Sequence, residues 1–164
     1  MTEINIFTEN IHEEKALDEK AAIDAAKKIT SFYLKDEKIF SSSCLAKFDF
    51  DCLSFDILFC DSKKTHEINK EYRFKDYEAD IITFSIFADS EDKFVFDGEI
   101  NLGEIIISLD KVEKNAQENG KTFTQELNFL ISHGIMHLLG FDHQTEEDYN
   151  FIIQAQNSAL GVLL

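Results

Sequence analysis

The segment His133-Gly-Ile-Met-His137-Leu-Leu-Gly140-Phe-Asp-His143 holds three of the chain's five histidines. Residues four apart on a helix lie on one face, one turn apart, so His133 and His137 are expected to aim their imidazoles at one point. Gly140 can take the left-handed conformation that ends a helix, and the reversal it permits would return His143 to the same point. Neutral imidazole suits zinc, nickel, iron or copper, so these residues are expected to hold one divalent transition ion, zinc foremost. Three protein ligands leave a coordination position open, as in catalytic zinc sites, whereas structural sites close the shell with a fourth ligand, commonly cysteine. No cysteine is near in sequence, Cys60 being the closest. The expected chemistry is metal-assisted hydrolysis.

The spacing equals the HExxHxxGxxH of metzincin peptidases, except that Gly134 stands where those enzymes carry their glutamate general base. No other carboxylate on that helical turn could take the proton, which argues against peptidase chemistry. Asp142, beside the third histidine, is the nearest acidic group, either orienting an imidazole or handling a proton. His12 and His66 lack such company and read as surface residues. Arg73 is the chain's only arginine. Its guanidinium offers a rigid fork of donors to phosphate oxygens, although a lone arginine is more often a surface ion-pair partner.

The elements that must position these groups follow from periodicity. Thr122 and Gln125 make a capping-box pair for a helix whose Leu127, Leu130, Ile131, Ile135 and Leu138 form an apolar stripe, so the metal motif should ride on a central, buried helix. Thr145 with Asp148 caps a last helix bearing Tyr149, Ile152 and Ile153. Upstream, Ile4 and Ile6 alternate as a strand, and Leu17, Ala21, Ala25, Ile29 and Phe32 recur at helical spacing. Alternation at Phe48 to Asp51 and at Ser54 to Cys60 suggests strands, followed by a helix capped by Asp61 or Ser62 and running through Tyr72. Ile81 to Phe87 is another apolar run. Phe94 to Asp97 turns through Gly98 towards an Ile-rich strand at Leu102 to Ser108, and a helix from Asp110 stops at Asn119-Gly120. The expected fold class is α/β (or α+β), with a small mixed sheet and packed helices.

Bulk properties bound the rest. With 44% hydrophobic residues, 16 phenylalanines and no proline or repeat to mark a linker, residues 1–164 read as one domain. Met1 to Asn10 lacks a signal peptide's basic and apolar regions, and no run nears the roughly 18 apolar residues of a membrane helix, so a cytoplasmic protein without membrane partners is expected. Cys44, Cys52 and Cys60 lie among Phe and Leu in apparent strands and read as reduced core thiols. A net charge of −16 opposes polyanionic partners over long range.

The motif His133 to His143, in the form HGxxHLxGxDH before an acidic helix, resembles the YbeY-type ribosomal RNA maturation factors. Ile68-Asn-Lys-Glu-Tyr-Arg73 is similar to that family's LNxxYR segment, Asp80-Ile-Ile-Thr-Phe-Ser85 to its TDVLSFP segment, and Leu102-Gly-Glu-Ile-Ile-Ile-Ser108 to its LGDIVIS strand. The likeness runs from about Phe55 to the C-terminus. Ala79, Ser85, Glu104 and Phe141 depart from the family's usual Thr, Pro, Asp and Tyr, which touches the shape of the cleft and leaves the metal ligands intact.

The resemblance implies a single-strand-specific, zinc-dependent endoribonuclease acting in ribosomal RNA processing (16S rRNA 3′ end maturation) and ribosome assembly and quality control. His133, His137 and His143 would bind zinc and Arg73 would belong to the active cleft, stabilising charge on the phosphorus. RNA and ribosomal particles with their assembly proteins would be partners; DNA is not expected. Lys63, Lys64, Lys70 and Lys75 are expected to join Arg73 in a limited positive cleft. Other readings are a non-catalytic ribosome assembly factor with structural zinc, and a metallohydrolase of another substrate.

Overall fold

A computed structural model describes residues 1–164. The most apolar strands lie in the middle of one sheet. Its strands are β1 (Glu3–Asn10), β2 (Cys52–Cys60), β3 (Ile81–Phe84) and β4 (Glu99–Ser108), ordered β1-β2-β4-β3. β1 pairs β2 and β2 pairs β4 in parallel, while β3 runs antiparallel to β4, so the sheet is mixed as expected. Parallel interior strands are covered on both faces and therefore read as near-continuous apolar runs. Accordingly Phe55, Ile57 and Phe59 of β2 and Leu102, Ile105 and Ile107 of β4 are buried in the main core.

The helices are α1 (Glu19–Lys35), α2 (Glu37–Ser42), α3 (Ser62–Arg73), α4 (Ile86–Asp89), α5 (Leu109–Asn119), α6 (Phe123–Leu138) and α7 (Glu146–Gly161). α6 starts with the expected reciprocal box: the Thr122 hydroxyl accepts from Gln125 N–H at 3.1 Å, and the Gln125 side chain accepts from Thr122 N–H at 2.9 Å. Its buried face is wider than the predicted stripe, because α6 meets α1, α5 and α7 as well as β3 and β4. Ser132, also buried, accepts through its carbonyl from the Tyr33 hydroxyl of α1 at 3.2 Å.

Gly134 marks the closest approach of α6 to the sheet. A Cβ there would lie 2.9 Å and 3.0 Å from two Ile105 side-chain atoms and 3.1 Å from Ile81 Cδ1. A glutamate therefore has no room, and the missing peptidase base has a packing cause. Gly134→Ala should destabilise the fold by about 1–2 kcal/mol, overpacking outweighing alanine's better helix propensity. A urea midpoint equal to or above that of the unaltered chain would refute this tight contact.

Several local expectations change. Phe48 to Asp51 forms no strand; Phe48 packs edge-on against Phe87 at 5.2 Å and Phe50 lies tilted against Phe40 at 6.4 Å, so the alternation records two contacts made by a loop. The run Ile81 to Phe87 breaks after Phe84 into α4. Cys44 sits in a turn, half-buried, and its N–H donates to Leu139 O at 2.9 Å; all three thiols are free. His12 is not a surface residue. Its side chain is only 7% exposed, with Nε2 2.9 Å from Asp110 Oδ1 and Nδ1 accepting from the N–H groups of Glu14 and Lys15. The short helices α2 and α4 escape sequence reading because so few residues show no period.

Candidate metal centre

Two ligand candidates come from the last turns of α6 and the third from the reversal that follows. α6 ends at Leu138, Gly140 takes φ 96°, and its N–H donates to His137 O at 3.0 Å. Phe141 N–H donates to Met136 O at 3.1 Å, so the chain folds back over the helix end. That reversal carries His143 to the histidines of α6. His143 Nε2 lies 3.5 Å from His133 Nε2, and His137 Nε2 lies 2.9 Å from it.

The ligating nitrogens of all three residues fall within 4.8 Å of one another, and the group could hold a metal ion. Nitrogens about 2.0–2.1 Å from a tetrahedral ion would stand about 3.3 Å apart, so the two shorter separations bracket the value zinc requires. The donor set fits. It consists of these three residues alone, with Asp142 and the cysteines outside it.

Electrostatics favour ligation. His133 is pushed down to about 4 by burial first and by the neighbouring His137 and His143 second, and His137 is lowered chiefly by burial. Both rings are therefore neutral at neutral pH, presenting lone pairs. The Asp142 carboxyl is held below its usual range, mainly by the His143 N–H that it accepts at 2.8 Å.

These shifts carry a sign. In the metal-free protein the unfolded chain takes up the His133 proton near pH 6.5 and the folded chain near pH 4, so stability falls as pH drops through that window. The loss from this ring should reach about 3 kcal/mol. Glu126, raised by burial, works the other way and loses stability as pH rises. Comparing denaturant midpoints of the metal-free chain and a His133→Asn variant isolates the imidazole; a gap between them that does not change with pH would contradict its depressed pKa.

His133 and His137 open onto a cleft of about 330 Å³ whose walls include Arg73, Thr83, Ser85, Asp89, Phe141 and Asp142. Arg73, at the C-terminal end of α3, is thereby brought to His133 and His137. The expected lysines are not. None of Lys63, Lys64, Lys70 or Lys75 lines this cleft, and its single basic residue is accompanied by Asp89 and Asp142. α3 aims only one of its basic side chains inward, so the positive wall foreseen from sequence shrinks to one guanidinium.

Two contributors were not legible beforehand. The Ser85 hydroxyl donates to His137 O at 2.9 Å, tying the start of α4 to the end of α6. Gln156 of α7 is wholly buried and stands by the His133 ring, yet both its amide atoms lack a hydrogen-bond partner. A polar residue beside Ile152, Ala155 and Ala159 on one helix face is the signal that could have revealed it. His66 contributes nothing to the centre; its Nε2 lies 2.6 Å from exposed Asp76.

Residues 7–163 match the family described as Endoribonuclease YbeY. An endoribonuclease YbeY of Malacoplasma penetrans is 34% identical over 155 residues, covering 94% of this chain and 93% of its own. Another from Oceanobacillus iheyensis is 32% identical over 155 residues, covering 93% and 94%. A protein from Thermotoga maritima, solved in solution, shares the fold with a TM-score of 0.58 at 22% identity, over 98% of this chain and 91% of that one.

Proposed function

The chain belongs to the YbeY endoribonuclease family, and from that membership we propose that it hydrolyses single-stranded RNA at the three-histidine centre. The observation that carries the reading is the convergence of three imidazole nitrogens beside a cleft that His133 and His137 line together with Arg73. A zinc ion held there would supply Lewis acidity towards a phosphoryl oxygen and towards water. His133, His137 and His143 would hold it. Arg73 orients the substrate phosphate through its fork of donors and stabilises charge that develops on it. The low pKa of Asp142 suits an anion that steadies the His143 turn better than a general base.

The finer reading is ribosomal RNA processing, including maturation of the 16S 3′ end, on ribosomal particles in the cytoplasm. A net charge of −16 withholds general affinity for RNA, so protein partners on the particle supply part of the binding. No helix is long and apolar enough to cross a membrane. The test is a panel of single-stranded RNA, duplex RNA, single-stranded DNA and peptides given to the zinc-loaded chain. Cleavage of the first alone, abolished by chelation and restored by zinc, is expected. Cleaved peptides would favour another hydrolase, and uncut RNA with one zinc bound per chain would favour a structural ion.

A further inference from the structure

The C-terminal edge of α3 carries a feature that folding does not explain. Phe74, immediately after Arg73, caps the helix at φ 56° and ψ 34°, in the left-handed region that a bulky residue rarely adopts. Its side chain is also 90% exposed. A glycine would remove both the backbone strain and the apolar surface, so the aromatic ring stands there against the interests of stability, the pattern expected of a functional position.

Its neighbours repeat the theme. Tyr72 and Tyr77 are 61% and 53% exposed. Tyr72 is anchored edge-on against Phe84 at 5.9 Å, whose side chain lies on the opposite face of β3 from the cleft residues Ile81 and Thr83. The loop that follows is pinned by Asn69, itself fully buried, whose carbonyl accepts from Lys75 N–H at 3.0 Å and whose amide donates to Tyr77 O at 3.1 Å. Three exposed aromatic residues thus lie within four positions of the one arginine of the cleft, on a segment held by Asn69.

The charge distribution fits a nucleic acid. Residues 61–78 carry five basic and five acidic side chains, so the entire net charge of −16 resides outside them. Over these residues an RNA strand meets no net negative charge. Stacking of unpaired bases on aromatic rings supplies affinity that does not depend on a basic surface, which this chain lacks.

We propose that Tyr72, Phe74 and Tyr77 form a stacking platform for unpaired bases of single-stranded RNA whose phosphate lies at Arg73. This rests on the RNA reading above. The test uses the zinc-loaded protein at physiological salt, with fluorescently labelled 2′-O-methyl oligoadenylate, which resists cleavage, and a matched oligonucleotide with abasic positions. The unaltered chain should prefer the oligoadenylate by about tenfold or more, the scale of one base on one ring. Phe74→Gly should erase most of that preference, leave abasic binding unchanged and unfold at an equal or higher temperature, and Phe74→Trp should restore it. If Phe74→Gly binds oligoadenylate like the unaltered chain, or loses both oligonucleotides equally, the platform is overturned. The first of those outcomes, from a chain that still cuts RNA, overturns the platform alone and leaves these rings to a protein partner; a chain that neither binds nor cuts RNA overturns both readings.

Discussion

His137→Ala should yield a folded protein that retains no zinc through purification and cleaves no RNA. His137 holds the shortest nitrogen separation of the centre, 2.9 Å to His133, and its removal leaves a single pair 3.5 Å apart. Loss of groups that merely support a ligand costs roughly 10–100-fold in metal affinity, so loss of a ligand should exceed about 100-fold. The fold should survive, because its 28-residue apolar cluster contains no part of the metal centre. The Ser85 bond also persists, since it uses the His137 carbonyl and not the ring. Elemental analysis, circular dichroism and an RNA cleavage assay on one preparation decide the matter. A metal-free His137→Ala protein with full activity would remove the ion from the reaction.

Arg73→Glu should lower cleavage by about 100- to 1,000-fold, the range seen when one preorganised donor to a developing charge is lost, while zinc content stays the same. Arg73→Lys should fall between, keeping the charge but not the planar fork. The assay belongs at mildly alkaline pH for a specific reason. The Arg73 charge helps to lower the His137 pKa, so a glutamate there raises it and would promote metal loss on acidification. Undiminished kcat/KM at constant zinc content would exclude Arg73 from the mechanism. Loss of zinc along with activity would reassign it to support of the metal centre.

What could be read beforehand is local. The Thr122 to Gln125 box, the spacing of His133 and His137, the Gly140 reversal and the caps at Asp61 and Thr145 are each interactions among residues a few positions apart. Backbone sterics and hydrogen bonding impose them wherever the segment lies, and their spacing is the spacing of the helix itself. The buried strands were readable for a related reason, since a parallel strand covered on both faces needs an apolar run. Where apolar residues have another use the pattern misleads, as at Phe48 to Asp51, a loop whose rings pack against Phe87 and Phe40.

By itself, then, the sequence determined a mixed α/β fold and a three-histidine group around a helix end, because both follow from short-range periodicity. Only the tertiary structure decided that Arg73 and not the lysines faces the histidines, that Gly134 is a contact with Ile105 and Ile81, that His12 is buried against Asp110, and that Gln156 stands by His133. Each of these joins segments distant in the chain, and such meetings are set by how helices and sheet pack together, a long-range property that no local pattern of residue types encodes.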